Sequence, residues 1–554
     1  MPGLVSHLAF VDRLSADPSL TPTLSHGARK ALGSQEAALG ALGPDPLFFL
    51  LRELPLGEVV RAYLQVEERL EDIRALFSKV KAILDVPNPI DIYTEDVQAE
   101  LAGSIGAVKG TIASGIFNQV LRIVDLFELM KPSPQRGFAP PEWFWIEILH
   151  NLQTGRFAAA LKDQATSLER KSFYMGYLSH FALDSVGHPW VNLLSGGPYR
   201  NQWRRHVLIE KWLDVHTLDR IDGRELAGSM VYRQIEIGSA PPEDLCEYFA
   251  SALSDTYSGL RWLPGPSEID ECFRLTYRFL KGQTSGGLLN LPPLEPFDVF
   301  KLDDKVRRIL EWNPPALGGT PSGSSASAQD WLKFLDELWE FAKYCMEKAL
   351  RIVLLPLDVL GELPLAAVRF VIWNLTRLVM ETYEKLRLAL ALSAHVHPWR
   401  SQVPHLQSLV DSGSAPAFRA AGGPYERVPA SADQSYHLVH PRDAGVQIET
   451  PPAYALAPRE LPGFMEVMFS SHAEGRWWAN KLLTQPMRSP SDEGRFLEFQ
   501  ASAAEVFDEA YRLTVDADTP LANIDLDGDR SFAWPEWEPL HPEPWNDLSF
   551  AFKP

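Results

Sequence analysis

Cysteine is nearly missing from this chain. Three scattered thiols in 554 residues, Cys246, Cys272 and Cys345, form no CxxC pair. They offer neither a disulfide framework nor a thiolate metal site, so any metal must be held by histidine and carboxylate. Excess positive charge is missing too. A formal charge of −20 argues against a general nucleic-acid binder, because a polyanion repels the phosphate backbone. It leaves a phosphodiesterase open, since bound metals invert the field at a site. Long apolar runs are the third absence. The most apolar region, 350–395, is broken by Pro356, Asp358, Glu362, Pro364 and Arg369, short of the roughly 20 residues that a membrane helix needs. Transmembrane anchoring is therefore not expected. The start, MPGLVSHLAFVDR, has no basic n-region and no long apolar core, so a Sec signal peptide is not expected. The expected location is cytoplasmic as synthesised, with export by a signal-less system left open.

What is present is helical patterning. The length suggests two to four domains. Residues 1–235 read as mostly helical, with apolar residues at helical spacing over Glu53–Lys81, Leu101–Leu129 and Leu149–Leu161. Residues 236–395 continue as a helical extension. It contains a Gly/Ser/Pro linker at 313–328 and a hairpin over 329–395 broken near Pro356 and Pro364. The remainder, 396–554, is rich in proline and aromatics, with a helix expected near 495–513. The expected class is all-α, a helical bundle with additional helical and irregular C-terminal regions.

Chemistry concentrates in Gly176-Tyr-Leu-Ser-His180-Phe-Ala-Leu-Asp184-Ser-Val-Gly-His188-Pro189. Four-residue spacing puts His180, Asp184 and His188 on one helical stripe, and His206 and Glu210 repeat it on a second helix. The neighbours Phe181, Ala182, Leu183 and Val186 are apolar, which favours a buried stripe over a solvated polar face. Two helices presenting imidazoles and carboxylates to each other are how a bundle core holds divalent metals, and this mixture suits zinc. Upstream lie His7, Asp45 in the turn LGALGPD, and His150 followed by Thr154-Gly155-Arg-Phe157. His7 also fits a terminal surface histidine, and Asp45 a simple turn cap. Asp214 and His216 read as outer or surface groups. His395, His397, His437 and His440 read as ordinary surface histidines.

Together these pieces resemble the bacterial zinc-dependent phospholipase C family, relatives of the fungal and plant zinc-dependent single-strand nucleases. The matching pieces are GLVSH7, LGALGPD45, His150 with TGxF, HxxxD at 180–184 and HxxxE at 206–210, in family order over roughly two-fifths of the chain. The resemblance implies three zinc ions. Asp45, His150, His180 and Asp184 would hold one; His188, His206 and Glu210 a second; and His7 with bridging Asp184 the third, which the family completes with its amino terminus. His188 follows Asp184 more closely than in the secreted members, and the processed N-terminal tryptophan is lacking. The implied reaction is hydrolysis of glycerophospholipids at a membrane surface to diacylglycerol and a phosphorylated headgroup. Zinc would activate the water, and Asp45 would act as ligand and base. Alternatives are a single-strand nuclease of the related family and a metal-stabilised, non-catalytic effector or interaction scaffold.

Three further signals are weighed. Among Trp143, Phe144, Trp145, Tyr174, Tyr177, Trp190, Tyr199 and Trp203, most suit a core, and one or two could face a choline headgroup. The stretch 525–536 matches the oxygen-ligand spacing of a calcium loop through Asp525, Asp527, Asp529, Ser531 and Glu536. Arg530 stands where glycine makes the sharp turn, so an acidic surface turn is the competing reading. The apolar block at 350–395 suits a bundle core better than a bilayer-docking face.

Overall fold

The computed structural model describes residues 3–53, 142–195, 199–236, 241–260, 262–285, 396–400, 503–524 and 526–527, with Glu337, Tyr344, Ala391 and Ala394 singly. Two compact units divide the chain. One comprises 1–58, 128–285 and 393–554; the other comprises 59–127 and 286–392, of which only Glu337, Tyr344 and Ala391 are described. Every regular element among the described residues is helical, in agreement with the all-α expectation. No helix among them is long and apolar enough to cross a membrane. The helices expected over 53–81 and 101–129, the linker and the 329–395 hairpin lie outside the described residues, apart from Glu53, Glu337, Tyr344, Ala391 and Ala394.

In the first unit the order is α1 (Leu4–Ala16), α2 (His26–Leu32), α3 (Gln35–Ala41) and a 3-10 turn (Asp45–Phe49). Next come α4 (Trp145–Asn151), α5 (Thr154–Gln164), α6 (Leu168–Ser195) and α7 (Tyr199–Asp222). After a second 3-10 turn (Val231–Ile235) follow α8 (Glu243–Tyr257), α9 (Pro266–Thr284) and α10 (Ala503–Tyr511), which runs into a π turn (Arg512–Asp516). The apolar stripe of α8, Leu245, Phe249, Ala252 and Leu253, needs cover and finds it on α5 and α9. Helix α10 returns to pack on α6.

Helix α6 is the axis of this unit. Every residue from Ser172 to His188 is buried, so the helix is enclosed on all sides. Its tightest neighbour is α3. A Cβ on Gly176 would lie 1.9 Å from the Ala37 carbonyl oxygen, and one on Gly40 would lie 1.9 Å from that of Phe173. The two helices therefore touch backbone to backbone, and only glycine permits it. Behind them, Phe157 meets Tyr177, Phe249 and Tyr257 edge-on or tilted, at ring separations of 5.5, 5.3 and 6.0 Å. The Tyr257 hydroxyl donates to the Leu152 carbonyl at 2.7 Å, so the aromatic wall also fixes the break between α4 and α5.

Candidate metal centre

Each candidate side chain is held by a specific local device. Helix α1 has no side-chain cap of its own at Gly3. Asp214 of α7 supplies one from across the fold, its carboxylate accepting from Ser6 N (2.8 Å), Ser6 Oγ (2.7 Å) and Val5 N (3.3 Å). A carboxylate at a helix N-terminus satisfies orphan N–H groups and complements the dipole. His7 is thereby fixed one residue beyond the cap. Asp45 opens the 3-10 turn after Gly43, whose φ is +54° and where an added Cβ would lie 2.5 Å from the His180 ring, so no side chain is admitted. His150 lies in the last turn of α4, whose first N–H, that of Trp145, donates to Glu53 Oε1 at 2.8 Å. His180, Asp184 and His188 share one face of α6, and His206 and Glu210 share one of α7; all five are buried.

The ligand atoms converge. Asp184 is central: its Oδ1 lies 3.1 Å from His7 Nε2, and its Oδ2 lies 2.9 Å from His180 Nε2 and 3.3 Å from His150 Nε2. Asp45 lies 3.4 Å from His150 Nε2 and 3.9 Å from His7 Nε2. On the second side, His206 Nε2 is 3.0 Å from Glu210 Oε1. Atoms bound tetrahedrally at about 2.0–2.1 Å stand about 3.3 Å apart, so these spacings suit donors surrounding ions. Among the described residues, three groups have the compactness of a metal site: His7, Asp45 and His180; His150, His180 and Asp184; and His188, His206 and Glu210.

The proton positions agree. His180 Nδ1 faces the Ala41 carbonyl at 3.1 Å, His150 Nδ1 that of Ile146, and His188 Nδ1 that of Leu526. A carbonyl oxygen only accepts, so Nδ1 carries the proton and each Nε2 lone pair is turned inward, the usual arrangement behind a metal-binding imidazole. Those inward atoms, Nε2 of His7, His150, His180 and His188 with both oxygens of Asp45 and Asp184, are buried and make no hydrogen bond. Buried polar atoms without partners cost free energy. A cation among them removes that cost, so the donor set fits a divalent metal.

Electrostatics separate the two carboxylates. Burial pushes the Asp45 carboxyl up to about 6, although His150 and His180 work against the rise. Burial also opposes the charge on Asp184, but His180, His7 and His150 overcome it and hold this carboxyl well below the usual range. Asp184 is therefore the permanently charged centre. Bound metal would draw Asp45 down as well.

Glu53 gives a pH dependence that does not involve the cluster. Burial pushes its carboxyl from 4.5 to about 8, against the Trp145 N–H bond, with Glu147 adding to the rise. A carboxyl with a raised folded pKa binds its proton more tightly folded than unfolded. Its stability contribution is complete below 4.5 and lost as pH rises through 8. Denaturant midpoints should fall between pH 5 and pH 9, and Glu53→Gln should flatten that fall; an unchanged slope would contradict this.

Two further buried groups escape sequence reading. Asp214 and His397 look peripheral in the sequence, yet both are buried, with His397 Nε2 2.9 Å from Asp214 Oδ2. His395, His437 and His440 lie outside the described residues, as do Asp525, Asp529, Ser531, Glu536 and residues 1–2. Asp527 is described, and it is no surface residue. It is buried, its Oδ2 accepting from Tyr199 N at 3.0 Å and its Oδ1 facing the His188 and His206 imidazoles. Among the aromatics, Tyr199 reaches the pocket described below. Trp145 and Tyr177 are core, Trp143, Phe144 and Tyr174 are buried, and the side chains of Trp190 and Trp203 lie outside the described set.

Against known proteins, the family model for zinc dependent phospholipase C matches residues 127–260. The match supports the resemblance to the zinc-dependent phospholipase C family over this stretch. The stretch contains α4 to α8, and with them His150, His180, Asp184, His188, His206 and Glu210. Comparisons with curated proteins and with solved structures find no match. For a zinc-dependent phospholipase C domain the mixed imidazole and carboxylate set is the expected chemistry, and the two cysteines described, Cys246 and Cys272, are buried in α8 and α9. A pocket opens beside the cluster. Phe48, Phe49, Ile146, Val207 and Phe279 form its walls, and Asp45, Glu210, Lys211, Asp214 and His397 its polar side. The Lys211 ammonium is held there by the Ala394 carbonyl at 3.0 Å and lies 5.0 Å over the Phe279 ring.

Proposed function

We propose that the protein is a zinc-dependent phospholipase C that hydrolyses glycerophospholipids at a membrane surface to diacylglycerol and a phosphorylated headgroup. The observation that carries this reading is the pocket: its lining joins phenylalanines to Asp45 and Glu210, so a lipid's glycerol and acyl portion could lie along apolar side chains while its phosphate meets the cluster.

His7, Asp45, His150, His180, Asp184, His188, His206 and Glu210 would hold the metal, with three zinc ions as the proposed stoichiometry. Zinc supplies Lewis acidity toward phosphodiester oxygens and makes water acidic enough to react near neutral pH. Asp45 has the position for a base: it belongs both to the cluster and to the pocket lining, and its carboxylate would take the proton of the attacking water. The water oxygen bonds to phosphorus and the bond to the glycerol oxygen breaks; the proton taken by Asp45 would pass to that oxygen, which leaves as diacylglycerol. Asp184, buried and strongly charged, balances the cluster throughout. Lys211 adds a cation to the pocket lining, which would favour an anionic phosphodiester.

Vesicles of phosphatidylcholine, phosphatidylethanolamine and phosphatidylserine, assayed beside single-stranded DNA on one preparation, test this. Release of phosphorylated headgroup that stops on chelation is expected. Asp45→Asn should lower turnover by about 10²–10⁴-fold, the range for loss of a positioned base. Cleavage of DNA alone favours the nuclease reading, and a zinc-loaded chain inert on both favours the scaffold.

A further inference from the structure

We propose that Asp527 is a fourth protein ligand at the His188, His206 and Glu210 site, carried into it by a C-terminal segment outside the matched domain. Asp527 Oδ1 lies 3.7 Å from His188 Nε2 and 3.6 Å from His206 Nε2. Those are spacings of donors that share an ion, near the tetrahedral edge of about 3.3 Å. His188 Nε2 is buried and makes no hydrogen bond, so an acceptor of its lone pair belongs there. Imidazoles around the carboxylate favour zinc over calcium, which takes oxygen ligands.

The segment that delivers Asp527 is docked on the metal-bearing helices. Ile524 N donates to Thr154 Oγ1 at 2.9 Å, and that hydroxyl donates to the Ile524 carbonyl at 2.6 Å. Leu526 N donates to the His150 carbonyl at 2.7 Å, and the Leu526 carbonyl accepts from His188 Nδ1. A Cβ on Gly155 would lie 2.2 Å from the Leu521 carbonyl oxygen, so the segment sits directly on the start of α5. It thus contacts two candidate ligands through their backbone or outer nitrogen and places a carboxylate beside a third. With Asp527 bound, the site has four protein ligands, the number that completes a tetrahedral zinc, so this ion would hold the cluster together while the Asp45 side of the cluster meets substrate. Docking of the segment and occupancy of this metal position are then one equilibrium.

This inference rests on the cluster being a metal centre, and the experiment separates the two. Full-length protein is stripped with chelator and titrated with zinc chloride against a chromophoric competitor, alongside Asp527→Asn and Thr154→Val. Asp527→Asn should weaken one zinc at least as much as the roughly tenfold that losing even an outer partner costs. Thr154→Val, which touches no metal position, should weaken the same zinc by loosening the segment. Hydrogen exchange at the Ile524 and Leu526 amides should slow when zinc is added and quicken on chelation. A wild-type chain that binds no zinc overturns the metal centre itself. Unchanged zinc affinity in a folded Asp527→Asn protein, or amide protection that follows calcium instead of zinc, overturns the role of Asp527 alone.

Discussion

Asp184→Asn is expected to remove tightly bound zinc and lower phospholipid turnover by on the order of 10³-fold, about 4 kcal/mol of barrier at 1.36 kcal/mol per decade. The reason is position. Asp184 stands within 3.3 Å of Nε2 atoms on three histidines, His7, His150 and His180. They come from α1, α4 and α6, so one carboxylate joins three elements that are distant in the chain. The amide is close in size to the acid but lacks the charge that offsets bound cations. Zinc content by elemental analysis and headgroup release from vesicles read the two effects separately. Near-normal zinc content with normal turnover would remove Asp184 from the centre.

Gly176→Ala is expected to destabilise the first compact unit by about 3 kcal/mol, the upper range for overpacking a tight core. The added methyl would meet Ala37 backbone, which cannot rotate away as a side chain can. Displacing α3 also moves the turn that bears Asp45, so zinc affinity should fall with stability. Gly223→Ala is the control. Its φ is +63° but nothing lies within 4 Å of the added carbon, so only backbone strain of about 1 kcal/mol applies. Chemical denaturation of both variants, with zinc and with chelator, measures the difference. Equal losses would mean that the contact of α3 with α6 is not the constraint described here.

These residues also mark what the sequence makes legible. His180, Asp184, His206 and Glu210 are readable because a four-residue spacing on an apolar helix is a local signal, and the fold leaves them side by side. The turn at Asp45 is readable for a related reason: Gly43 occupies a left-handed conformation against the His180 ring, so its glycine is required by contact. Asp214 is not readable. It caps α1 from more than 200 residues away, and nothing near it in the chain announces a helix N-terminus elsewhere. Asp527 misleads for the opposite reason. Its neighbours supply a calcium-like spacing, while its own contacts are imidazoles brought from α6 and α7. Helices α8, α9 and α10 are placed by the apolar faces they cover, which local composition does not announce.

The most direct test of the central claim is the metal content of the purified full-length chain, measured by elemental analysis before and after chelation and zinc readdition. Zinc at more than one ion per chain, lost from a His180→Ala and Asp184→Asn double variant, is the predicted result. A wild-type protein that stays folded and metal-free after zinc addition would contradict the account.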